Sequence, residues 1–155
     1  MIKVLFVCVH NAARSQMAEA FLNKLGQGHF IAESAGLEPA PLNDLVVKAM
    51  AEIDYDISKN ETNSVFDFYK EGRKYNMIVK VCDTEHGQKC PIFPLTLRVL
   101  DWSLPDPSAL EGTEEDKLVK IRALRDTIKG LVVTLMDEYI DLDTATASNE
   151  EEEIR

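Results

Sequence analysis

The sequence predicts an α/β domain: a parallel, four-stranded sheet flanked by helices on both faces. Three observations carry this reading. Four short runs, MIKVLFVCV, HFIAESAG, YNMIVKVCD and PLTLRVLDW, read as strands, the first a continuous Val- and Ile-rich stretch of the buried kind. Helical spacing of apolar residues follows the first, second and fourth of them, and strand–helix alternation is the pattern of a parallel sheet covered on both sides. The 155 residues suit one domain with a single core.

In order, residues 1–9 form the first strand. Ala12 to Leu25 is expected as a helix, because Met17, Phe21 and Leu25 recur at i, i+4 and i+8 and Gly26 follows as a stop. Residues 29–36 give a second strand ending in a small-residue turn. Leu42, Leu45, Val46, Ala49, Met50 and Ile53 mark an amphipathic helix, and SVFDFYKEG a shorter one ending at Gly72. The third and fourth strands follow at 75–83 and 94–102. A Pro-punctuated loop, SLPDPSALEGTEED, then leads into a long helix marked by Leu118, Ile121, Leu124, Ile128, Leu131, Val132, Leu135 and Tyr139. The polar, acidic DLDTATASNEEEEIR is expected as a frayed or disordered tail, so a single catalytic domain is assigned to 1–140 and a tail to 141–155.

A net charge of −10 argues against general binding of nucleic acid or anionic membranes, both of which need a basic surface. No apolar run approaches the roughly 20 residues of a membrane span. The first run is short, contains Lys3 and lacks a cleavage site after it, so no signal peptide is expected and a cytoplasmic location is. Three cysteines, Cys8, Cys82 and Cys90, do not suggest a structural disulfide framework. Their spacing with His10, His29 and His86 is not that of a zinc knuckle, so no metal is expected.

Ligands of open parallel sheets bind at the carboxyl ends of strands, and Cys8 and Cys82 both end strands on that edge. In CVHNAARS the chain leaves a strand and enters a helix whose first amides lack internal partners and favour an anion. Arg14 can grip two oxygens with its planar guanidinium. The same field favours the thiolate of Cys8, a nucleophile, and Ser15 can donate to its sulfur. The loop Val9, His10, Asn11, Ala12 and Ala13 has no glycine, but Asn11 tolerates left-handed angles and the two alanines leave room. His10 is assigned a local structural role. By itself the stretch says that an oxyanion binds beside a thiolate.

Four ordered motifs, CVHNAARSQMAEAF, SAG at Ser34–Gly36, CDTEHGQKCP and DWSLPDP, make the chain similar to arsenate reductases of the low-molecular-weight tyrosine-phosphatase fold, over about residues 2–140. The resemblance implies arsenate as substrate, Cys8 attacking arsenic, Arg14 and the loop amides holding the oxyanion, and Asp106, before Pro107, assisting the departing oxygen. It implies that Cys82 then attacks the Cys8 adduct and that Cys90 takes over the disulfide, with a thioredoxin-like protein as external reductant and no bound cofactor. A glutaredoxin-coupled variant could use similar cysteines. Some relatives bind potassium near the positions of Glu19 and Ser34, but the carboxylate they use there aligns with Ser64, which argues against potassium here.

Two other functions remain open at this stage: a phosphatase for phosphotyrosine or small phosphomonoesters, and a non-catalytic oxyanion or redox sensor. Phosphatases of this fold commonly carry aromatic residues just after the acid, and Pro107-Ser108-Ala109-Leu110 has none. A phosphatase has no use for Cys82 and Cys90, whereas a reductase must supply two electrons. A disulfide needs Cα atoms within about 4.4–6.8 Å. A helical Thr84–Lys89 segment would hold Cys82 and Cys90 ~12 Å apart at 1.5 Å per residue, so DTEHGQK is expected to change conformation on oxidation. Lys80 shares the alternation of Cys82 and is expected to snorkel outward.

Overall fold

The computed structural model describes residues 1–81 and 91–154, with the side chains of 142–154 excepted. Strands β1 (Ile2–Cys8), β2 (Phe30–Gly36), β3 (Met77–Lys80) and β4 (Arg98–Asp101) form one sheet in the order β2-β1-β3-β4, every pairing parallel. Helices α1 (Arg14–Leu25), α2 (Asp44–Ala51), α3 (Val65–Lys70) and α4 (Glu114–Ile154) supply the layers on either side.

The continuous apolar run of β1 follows from its central place, since both of its faces are covered. Ile2, Val4, Phe6 and Cys8 alternate onto one face and pack with Met17, Phe21, Met50, Leu118, Ile121 and Ile128 of α1, α2 and α4. Leu5 and Val7 turn to the other, smaller core with Val65 and Phe68 of α3, Tyr75, Ile78 and Phe93. Each fully buried Leu, Phe or Met side chain contributes roughly 1.5–3 kcal/mol of transfer free energy. Trp102 stacks obliquely on Phe6 at 5.7 Å and so serves the core rather than the cleft.

Several boundaries move inward from those read in the sequence. Helix α1 begins at Arg14, not Ala12, because residues 9–13 are used in the loop that precedes it. Helix α2 is shorter than its apolar spacing and starts from Asn43, whose side chain accepts from the amides of Leu45 and Val46 at 3.0 and 3.3 Å. Strand β4 keeps only four residues: Leu95 takes a left-handed φ of 66°, which ends the extended run before Arg98. Helix α4 continues in its backbone to Ile154, past the 140/141 boundary where a frayed tail was expected; no Gly or Pro follows Gly130 to stop it. Among the described residues, no helix is long and apolar enough to cross a membrane.

From β1 the chain passes first to β2 on one side, and β3 lies on the other, so a crevice opens at the carboxyl end of β1. Val7 pairs with Lys80, and the amide of Val81 donates to Val7 O at 2.8 Å. The strand leading towards Cys82 is thus the direct neighbour of the strand ending in Cys8. Cys82, Cys90 and the DTEHGQK segment lie outside the described residues.

Candidate active site

Cys8 is buried at the end of β1, with 1% of its surface exposed. Its sulfur accepts from the backbone amide of Asn11 at 2.9 Å and lies 2.8 Å from Ser15 Oγ. Ser15 Oγ already accepts from Asn11 Nδ2 at 2.8 Å, which leaves its own proton to point at the sulfur. Two donors converging on one sulfur are the arrangement that solvates a thiolate. Asn11 takes the left-handed backbone expected of it, φ 55°, and so supplies the turn that lets the chain curl around Cys8. Helix α1 then starts without a side-chain cap at Ala13, so its first amides remain for an anion.

The segment after β2 holds the loop through a run of backbone hydrogen bonds. Leu37 N donates to Cys8 O, Glu38 N to Val9 O, Ala40 N to His10 O and Asn43 N to Ala12 O, at 2.7 to 3.1 Å. This run continues the β1–β2 pairing past the sheet. It requires close approach at Gly36, where an added Cβ would stand 2.8 Å from Asn11 N and from Val9 O.

Arg14 is buried, and its guanidinium donates to Leu104 O at 2.9 Å and meets Asp106 Oδ2 at 3.8 Å. The arginine therefore ties the Pro-punctuated loop over the cysteine. Asp106, Ser108, His10, Asn43, Arg14 and Cys8 line one small cleft. Burial pushes the Asp106 carboxyl up, but the amide of Ser108 (2.9 Å), with Arg14 and His10 nearby, outweighs it and holds the group below the ordinary carboxylate range. His10 Nδ1 lies 3.0 Å from Glu38 O. The sequence-predicted group Cys8, Val9, His10, Asn11, Ala12, Ala13, Arg14, Ser15 and Asp106 is thus brought together. Lys80 sits at the end of β3, where its carbonyl accepts from Trp102 N at 2.7 Å.

Sequence reasoning missed the support behind the loop. Asn11 Oδ1 accepts from Asn63 N at 2.8 Å and from Gln16 Nε2 at 3.3 Å. Gln16, fully buried, also donates to Glu61 O and accepts from Asn60 Nδ2, both at 3.1 Å. The burial of Gln16 arises only in the fold, so the sequence itself carried no signal for this support. An open, polar depression of about 730 Å³ adjoins this support and includes Glu19, Tyr55 and Asn63. Burial pushes Glu19 up to about 7, against the lowering hydrogen bond from Ser34 Oγ at 3.1 Å. The hydroxyl of Ser34 is thus already engaged by Glu19, position 64 is a serine, and Asp67 is exposed. Among the described residues, no group of three or more His, Cys, Asp or Glu side chains could hold a metal ion.

Comparison with known proteins matches residues 3–145 to the family described as low molecular weight phosphotyrosine protein phosphatase. An arsenate reductase of Oceanobacillus iheyensis is 36% identical over 126 residues, which is 81% of this chain and 88% of the relative. A glutaredoxin arsenate reductase of Synechocystis is 31% identical over 88% of this chain and 97% of its own. Among solved structures, an arsenate reductase in the phosphate binding state superposes with a TM-score of 0.73 at 29% identity, covering 89% of this chain and 98% of that one. A thioredoxin-dependent arsenate reductase of Corynebacterium glutamicum gives 0.65 at 27%, covering 92% and 63%.

Proposed function

The chain belongs to the low molecular weight phosphotyrosine protein phosphatase family, as an arsenate reductase on that phosphatase-like fold, and we propose how its residues carry the reaction. One observation supports the first step above all: a buried cysteine sulfur with two converging donors, next to Arg14 and an acid tethered by it. Hydrogen arsenate enters with two oxygens on the Arg14 guanidinium and the others on the loop amides. The Cys8 thiolate attacks arsenic, and the departing hydroxyl leaves as water with a proton from Asp106. Asp106 rests as a carboxylate, so that proton is one it gains as the dianion approaches.

The electrons come from thiols. Cys82 attacks Cys8 sulfur, the sulfur–arsenic bond breaks with its electron pair on arsenic, and arsenite departs from a Cys8–Cys82 disulfide. Cys90 attacks Cys82, which frees Cys8 and leaves a Cys82–Cys90 disulfide for an external dithiol. A neighbouring position of β1 and β3 supports the first exchange. The relative and the neighbour named above use glutaredoxin and thioredoxin by name, and thioredoxin is the proposed reductant here. The need to keep three thiols reduced supports a cytoplasmic location.

The test is arsenite release with thioredoxin, its reductase and NADPH. Wild type turns over repeatedly; Cys8→Ser releases none, and Cys82→Ser and Cys90→Ser do not sustain turnover. Full turnover in all three variants removes the relay. Phosphatase activity that survives Cys82→Ser, without arsenite release, favours the phosphatase; neither activity favours a sensor.

A further inference from the structure

His10 stands where the loop meets the cleft, and its ring is already half committed. Nδ1 lies 3.0 Å from Glu38 O, and a carbonyl oxygen only accepts, so Nδ1 carries a proton in either charge state. Nε2 is then the one ring nitrogen free to gain or lose a proton, on a residue that lines the cleft with Cys8 and Arg14. The backbone beneath is fixed as well, because His10 O accepts from Ala40 N at 3.0 Å. The ring thus cannot turn away without breaking a bond to the segment that follows β2.

Among the described residues, the charged and titratable groups around it are Cys8 and Arg14 on its own loop, Asp106 across the cleft and Glu38 on the segment after β2. Arg14 is the one permanent cation among the described residues lining the cleft, in a chain of net charge −10. Histidine is the side chain whose charge changes between about pH 5 and 8.

We infer that His10 is a second, switchable cation of the oxyanion site: when protonated, its Nε2–H donates to an oxygen of a bound dianion beside Arg14. Oxyanion affinity then rises as the pH falls, and the site carries a proton that a dianion attracts. His10 is a positioning residue for substrate, and the inference rests on the oxyanion-binding reading of the loop, not on the thiol relay.

Sulfate is the probe, because it stays a dianion across the range, and a Cys8→Ser background removes the thiol from the titration. Asp106, held below the ordinary carboxylate range, stays ionised throughout. With His10 present, calorimetry should show the sulfate dissociation constant weakening about tenfold from about pH 5.5 to about pH 8.5. His10→Asn keeps a side-chain N–H for Glu38 O but has no Nε2; its constant should change less than about twofold and match the His10 chain at the high-pH end. The same pH dependence in both chains overturns the inference.

A second measurement needs no substitution at His10. By linkage, bound sulfate must shift the NMR titration of the His10 ring upward by about one pH unit, with His29 unmoved. No shift at His10 overturns the inference. Arsenate reduction together with pH-independent sulfate binding refutes His10 alone. No sulfate or phosphate binding at any pH refutes the oxyanion site itself, and His10 with it.

Discussion

At the residue scale the loop takes its left-handed turn from Asn11 rather than from a glycine. Its φ of 55° costs an ordinary L-residue roughly 1–2 kcal/mol, while its side chain joins Ser15, Gln16 and Asn63. Asn11→Ala therefore loses both angle and network, and Asn11→Gly only the network. In urea unfolding, Asn11→Gly should lie about 1 kcal/mol above Asn11→Ala, both should fall below wild type, and both should lose kcat/KM. Equal stability of the two variants would show that the angle is unstrained. The left-handed turn was legible in the sequence, because few residue types take it. Gln16 and Asn63 were not, because their role arises only when the 60–63 segment folds back on the loop.

At the element scale the loop is shaped by what lies across from it. The segment after β2 hydrogen-bonds to four carbonyls of the strand end and loop, those of Cys8, Val9, His10 and Ala12, and Gly36 permits the approach. Gly36→Ala should force these backbones apart. A displacement of about 1 Å at a reacting group can cost on the order of 100-fold in rate, so kcat/KM should drop by that order while far-UV circular dichroism stays near wild type. A variant with wild-type kcat/KM would show that the contact can relax. Helix α4 is secured differently: Arg125 donates to Ala49 O at the end of α2 at 2.7 Å, and Arg122 grips Glu52 at 2.7 and 2.9 Å. Arg125→Ala leaves that carbonyl unpaired and should cost about 1–3 kcal/mol in urea unfolding, with kcat/KM unchanged. Strand and helix identities were readable from apolar spacing. Their ends were not, since Leu95's turn and the loop at 9–13 are set by tertiary contacts.

At the scale of the whole molecule, one buried carboxyl links stability to pH. Glu19 rises from an ordinary value of 4.5 to about 7, chiefly through burial. The folded chain thus holds a proton that the unfolded chain has released between those values. Stability from this group is fully present below about 4.5 and is lost as the pH climbs through about 7. At about 1.4 kcal/mol per unit, the loss is on the order of 3 kcal/mol by pH 8. Glu19→Gln should be more stable than wild type near pH 8 and equal to it near pH 4.5; parallel pH profiles of the two would exclude Glu19 as the source.

The same scale bears on the proposed relay. The sheet order β2-β1-β3-β4 was not legible from strand count alone, yet it makes the strand before Cys82 the neighbour of the strand ending in Cys8. The most direct measurement of the relay is mass spectrometry of Cys90→Ser after one equivalent of arsenate, without reductant. The account predicts one arsenite per chain and a Cys8–Cys82 disulfide. Arsenite released from a chain in which Cys8 and Cys82 both remain free thiols would contradict it.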